Sequence, residues 1–95
     1  MSDVIETAVA ALNDKMSGGF DGLAKFVIED EGAIMLDANG ARAGDEEADV
    51  TLTADVDTFK GILDGDTNPT AAFMTGKLSV DGDMGMAMKL ASVLG

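Results

Sequence analysis

The segment that most limits what this chain can become is its last one, Met84 to Leu94, which has helical spacing and is apolar around almost its whole circumference. Gly85, Lys89 and Ser92, at spacings of four and three, share one narrow stripe, and every other position is Met, Ala, Leu or Val. A helix on the surface of a globular domain needs an apolar stripe only about 100° wide. The surplus has to be covered. The rest of the fold, a partner subunit, or an apolar ligand walled by this helix could each do so. Methionine, unbranched and soft, suits a changeable apolar surface better than Leu or Ile. On the residues alone, all three covers stay open.

The chain that must supply this cover is short. Its 95 residues predict one domain, residues 1–95. At this size roughly 60–65% of the unfolded chain's surface can be buried, enough for one modest core. The absence of His and Cys excludes an imidazole base, a thiolate nucleophile, a disulfide and the usual zinc or haem ligands. No cofactor and no metal is expected. Eighteen acids against six bases give a net charge of −12, which repels nucleic-acid phosphates and anionic headgroups. Solubility or a salty environment explains such acidity more simply than an acidic docking surface does. No apolar run approaches the ~20 residues of a membrane span, so no stable membrane insertion is expected. A basic segment followed by an apolar run is missing at the N-terminus, which leaves the cytoplasm as the expected location.

The apolar period organises the rest. Ser2 and Asp3 precede a helical repeat at Ile5, Ala8, Val9, Leu12 and Met16, with Gly18-Gly19 as its stop. From Ala24 to Asp37 the period falls to two, placing Ala24, Phe26 and Ile28 inward, with Ile34 and Leu36 returning after a turn at Glu31-Gly32. Asn39-Gly40 predicts a second hairpin leading to a short strand at Ala41 to Ala43. The acidic run Asp45-Glu46-Glu47 reads as a solvated loop before a strand with Val50 and Leu52 inward. Asp55 caps a helix burying Val56, Phe59, Ile62 and Leu63 and stopping at Gly65. Asn68 with Pro69 opens a short helix that ends at Gly76, a strand buries Leu78 and Val80, and Asp83 caps the last helix. The order is helix, a meander of about four strands, two helices, strand, helix. This is an α+β chain with a mostly antiparallel sheet and the helices on one face.

Two motif-like stretches fail on inspection. Asp64-Gly65-Asp66-Thr67-Asn68 begins like a calcium loop, but Pro69 and Thr75 stand where Gly and Glu are needed. Gly76-Lys77 lacks the upstream Gly and the following Ser or Thr of a phosphate loop. Carboxylate pairs are inevitable among 18 acids, and nothing places two of them in a cleft. An enzyme is therefore not expected.

One long ordered pattern remains: Asn68-Pro69, then Ala72-Phe73-Met74, Gly76-Lys77-Leu78, Val80, Gly82, Met84, Ala87 and Lys89-Leu90, preceded by the strand from Ala48 to Thr53. It resembles the signature of the sterol carrier protein 2 domain, a lipid-transfer module, and the order of elements extends the resemblance over essentially the whole chain. The resemblance implies a five-stranded sheet flanked by helices and enclosing an apolar tunnel for fatty acids, acyl chains, sterols or quinone-like molecules. Carried over by position, it places Phe73, Met74, Met84 and Met88 beside that tunnel. It implies a non-enzymatic lipid-binding domain, and the ending Ser92-Val93-Leu94-Gly95, which is not a peroxisomal address, matches a stand-alone prokaryotic version. The alternative is a protein-interaction or homodimerisation module that uses the same Met-rich face.

Overall fold

In the structure, a computed structural model that describes residues 3–15 and 19–94, the period-two segments form one five-stranded sheet. The strands are β1 (Ala24–Ile28), β2 (Gly32–Asp37), β3 (Gly40–Ala43), β4 (Val50–Ala54) and β5 (Leu78–Gly82), in spatial order β3-β2-β1-β4-β5. The helices are α1 (Asp3–Lys15), α2 (Val56–Asp64), α3 (Pro69–Met74) and α4 (Met84–Leu94). The expected cap at Ser2 and the expected helix end over Met16 to Gly18 lie outside the described residues.

Register follows from which face is oily. Ala24, Phe26 and Ile28 of β1 lie opposite Leu36, Ile34 and Gly32 of β2 and beside Val50, Leu52 and Ala54 of β4. Partners in register point the same way, so these side chains form one apolar surface. Against it pack Ile5, Ala8 and Leu12 of α1, Phe59 and Ile62 of α2, Ala72 of α3, and Ala87 and Leu90 of α4. Phe26 and Phe59 meet with ring centroids 5.5 Å apart. The helices therefore share one face of the sheet, as the pattern predicts.

The expected four-strand meander is corrected at β4. After β3 the chain does not turn back beside it. It crosses β2 and β1, and β4 pairs with β1 in parallel while β5 pairs with β4 antiparallel. Three strand spacings of about 4.8 Å separate β3 from β4, a gap that the six residues Gly44 to Asp49 span easily. The crossing runs over the sheet's other face. Asp45 pairs with Lys25 at 2.9 Å, the Glu46 amide contacts the Met35 sulfur at 3.4 Å, and the Asp49 amide donates to the Leu23 carbonyl at 2.9 Å. This buries Met35 completely, on a face the alternation had given to solvent.

The turns shift too. The first hairpin turns through Glu29-Asp30-Glu31, with Asp30 at φ 67°, and the second through Ala38-Asn39, both earlier than the Gly-containing pairs suggested. Beyond the second turn, the Asn13 side chain accepts from the Ala41 amide at 2.8 Å and donates to the Ala41 carbonyl at 3.1 Å. One amide side chain thus satisfies both backbone groups of Ala41 on the edge strand β3 in place of another strand.

Candidate functional site

The three C-terminal elements are held in place by local capping. Asn68 accepts from the amides of Thr70 and Ala71 at 2.8 and 3.2 Å, and Pro69 fixes the first turn of α3. At the far end of α3, the Lys77 amide returns to the Ala72 carbonyl at 2.9 Å, which aims the chain into β5. Gly82 ends β5 at φ 102°, packed so tightly against β4 that a Cβ would stand 2.4 Å from the Asp49 carbonyl oxygen. The Asp83 carboxylate then accepts from the Met86 amide at 3.2 Å and starts α4.

These connections leave a hollow between α3, α4 and the sheet. Its floor is Leu52 of β4 with Leu78 and Val80 of β5. One wall is Pro69, Thr70 and Phe73, and the other is Met84, Ala87, Met88 and Ala91. The lining is apolar apart from Thr70. The hollow measures about 30 Å³. A water needs roughly 10–15 Å³ of such space, whereas sites for drug-sized ligands run to ~300–1,000 Å³. In this conformation the hollow is small and opens between half-exposed side chains, and no open tunnel runs through the described residues.

Three of the four sequence-predicted residues, Phe73, Met84 and Met88, line this hollow, and Met74 does not. Among the described residues the large apolar side chains left exposed are these same four: Phe73 at 41%, Met74 at 79%, Met84 at 47% and Met88 at 59%. The oily excess of α4 is therefore real. Ala87 and Leu90 are buried beneath the helix, while Met84 and Met88 reach its exposed side. Sequence reasoning missed the floor's depth in β4 and β5 and the contribution of Pro69, Thr70 and Ala91. Leu52, Leu78 and Val80 read simply as inward strand residues, because a cavity wall and a core contact have the same alternation.

A larger depression lies on the other flank of α4. It is an open groove of about 620 Å³ lined by Gly19, Phe20 and Asp21 on one side and Gly85, Met88, Lys89 and Ser92 on the other. Its α4 residues are the polar stripe plus Met88. Size alone would favour the groove, but it is open to solvent and carries both a carboxylate and an ammonium group. The hollow is the better place for an apolar guest, because its lining is apolar apart from Thr70 and it is the more enclosed of the two. Met88 stands between the two.

The fold and this arrangement can be set beside known proteins. Residues 5–95 match the model of the SCP-2 sterol transfer family. The chain belongs to that family. A relative of the SCP-2 family member is hydroxysteroid dehydrogenase-like protein 2 of Xenopus tropicalis, 31% identical over all of this chain. The match occupies 25% of the longer protein, so this chain spans about a quarter of that relative's length. Human sterol carrier protein 2 is 43% identical over 49 residues, 52% of this chain and 9% of that protein. Among solved structures, sterol carrier protein 2 of Aedes aegypti in complex with palmitate superposes with a TM-score of 0.80, at 20% identity, over 100% of this chain and 97% of that one. SCP2-L2 of the same insect gives 0.79, at 21% identity, with 95% of each chain covered. At these identities the superpositions establish the fold: an SCP-2 sheet with one parallel pair and its helices on one face.

Proposed function

We propose that the chain binds and carries a single-chain apolar lipid, without catalysing a reaction, in the hollow between α3, α4 and the β4–β5 half of the sheet. The observation that carries this reading is the construction of the wall. The floor is fixed by buried Leu52 and Leu78, while the cover is Phe73, Met84 and Met88, long side chains already half in solvent. Such a cover can swing outward without disturbing Leu90 or Ala87 beneath it. Methionine has three rotatable side-chain bonds and reshapes at little energetic penalty. Each methylene buried from water contributes about 0.8 kcal/mol, so a long acyl chain can offset the exposure of two or three wall residues. The palmitate held by the Aedes aegypti relative and the sterol-transfer name of the family support an apolar ligand. A narrow, flexible-walled hollow suits a fatty acid or quinone-like tail better than a rigid sterol plate.

Displacement of a fluorescent fatty acid, with native mass spectrometry to count bound lipid, tests the proposal. Palmitate should displace the probe, and Ala91→Leu, which fills the hollow from its α4 wall, should abolish uptake while leaving the ligand-free melting temperature unchanged or raised. Failure to take up any fatty acid, sterol or quinone would contradict the reading, as would uptake that Ala91→Leu does not change.

A further inference from the structure

Met74 is 79% exposed, and the hollow does not use it. It follows Phe73 in α3, the helix that packs beside α4, so that all four exposed large apolar side chains, Phe73, Met74, Met84 and Met88, come from two adjoining elements, and three of them also line the hollow. The charge distribution singles out the same part of the chain. Residues 1–66 carry sixteen acids and four bases, whereas residues 67–95 carry only Asp81, Asp83, Lys77 and Lys89. The whole net charge of −12 thus resides on the first two thirds of the sequence, and the segment that builds the apolar rim is neutral.

From these two observations we propose that the α3–α4 face docks on an electrically neutral, zwitterionic bilayer surface. Exposed apolar side chains carried on a neutral segment can enter the headgroup boundary while the acidic residues stay in water, with Asp21, across the groove from Met88, at the edge of the contact beside Lys89. A second copy of the chain fits this face less well, because it would bring a second charge of −12 to within a molecular diameter. Anionic lipid is disfavoured for the same reason. Docking in this orientation sets the mouth of the hollow against the bilayer, so an acyl chain could pass between them without crossing water. That purpose rests on the lipid-carrier reading, whereas the contact itself does not.

Sedimentation of the full chain with phosphatidylcholine vesicles, in the absence of added fatty acid, tests the contact. The chain should sediment with the vesicles. Met74→Glu should weaken that partition about tenfold or more, as expected when one apolar side chain leaves the contact and a charge replaces it. Met74→Ser, which adds no charge, should give a smaller loss in the same direction. Both variants should displace the fluorescent fatty acid as the wild type does. At low ionic strength, replacing part of the phosphatidylcholine with phosphatidylglycerol should weaken binding, and added salt should restore it. The proposal is overturned if the wild type does not sediment with phosphatidylcholine, or if Met74→Glu sediments equally well. It is equally overturned if light scattering shows a dimer that Met74→Glu dissociates, which would assign the face to a second copy. Vesicle binding is read without ligand, so a failed fatty-acid assay would sink the carrier reading and leave this result standing.

Discussion

Asp55 fixes the start of α2 by accepting from the Thr58 amide at 2.7 Å, and that hydrogen bond holds its carboxyl below the ordinary value of 3.8. A lowered folded value means that the native state prefers the charged form. The stability this adds is present above 3.8 and is lost as the pH falls through the lowered value. Asp37 behaves alike, through the Arg42 guanidinium and then the Asn39 amide. Asp55→Asn should therefore lower the urea midpoint near neutral pH, and the gap from the wild type should shrink well below 3.8. Urea titrations at the two pH values check this, and a gap that widens in acid would contradict it. The cap itself was legible, because Asp before an apolar helical repeat states its role locally. Met35 was not. Its burial depends on the Gly44–Asp49 crossing, and nothing near Met35 in sequence announces that a loop will cover it. Asp30 hid its turn in the same way, because a carboxylate at φ 67° carries less signal than the glycine two residues later.

At the scale of elements, sequence reasoning recovered every helix and strand among the described residues but not all of their pairings. The β1–β2 and β2–β3 hairpins join neighbours, so turn residues and alternation suffice to predict them. The parallel β1–β4 pair joins residues 26 apart, Ala24 with Val50, and parallel pairing leaves no turn signature to read. Gly82 is the point where β5, β4 and α4 lock together. A Cβ there would stand 2.4 Å from the Asp49 oxygen and 3.1 Å from the Val50 Cα, both rigid backbone atoms, at a φ that L residues rarely adopt. Gly82→Ala should cost at least about 2 kcal/mol of stability, to be measured as the shift in urea midpoint. An unchanged midpoint would mean that β5 can move off β4 freely, and with it the floor of the hollow.

The whole molecule is governed by its charge and by how much oil it can hide. Glu29, Asp30, Glu31, Asp55 and Asp57 gather at one end of the sheet, and the surface pairs Lys25–Asp45 and Arg42–Asp37 relieve little of the repulsion. The described fold extends 29 × 27 × 22 Å, only a few times the ~8–10 Å Debye length at physiological salt. Added sodium chloride should therefore raise the melting temperature in calorimetry. Each 1 kcal/mol of repulsion screened corresponds to about 4–8 °C. No change between low and physiological salt would contradict this. The family pattern pointed to Phe73, Met74, Met84 and Met88, of which all but Met74 line the hollow, but the hollow's volume was not legible. It depends on how far α3 and α4 stand off β4 and β5, a distance that no residue type encodes alone. Whether that hollow opens for an acyl chain is best read from methionine methyl groups, since the chain carries its own probes in Met35, Met74, Met84, Met86 and Met88. In the protein labelled at methionine methyls and saturated with palmitate, contacts by nuclear Overhauser effect should join the acyl chain to Met84 and Met88 and leave Met35 untouched. Acyl contacts that bypass both Met84 and Met88 would contradict the account.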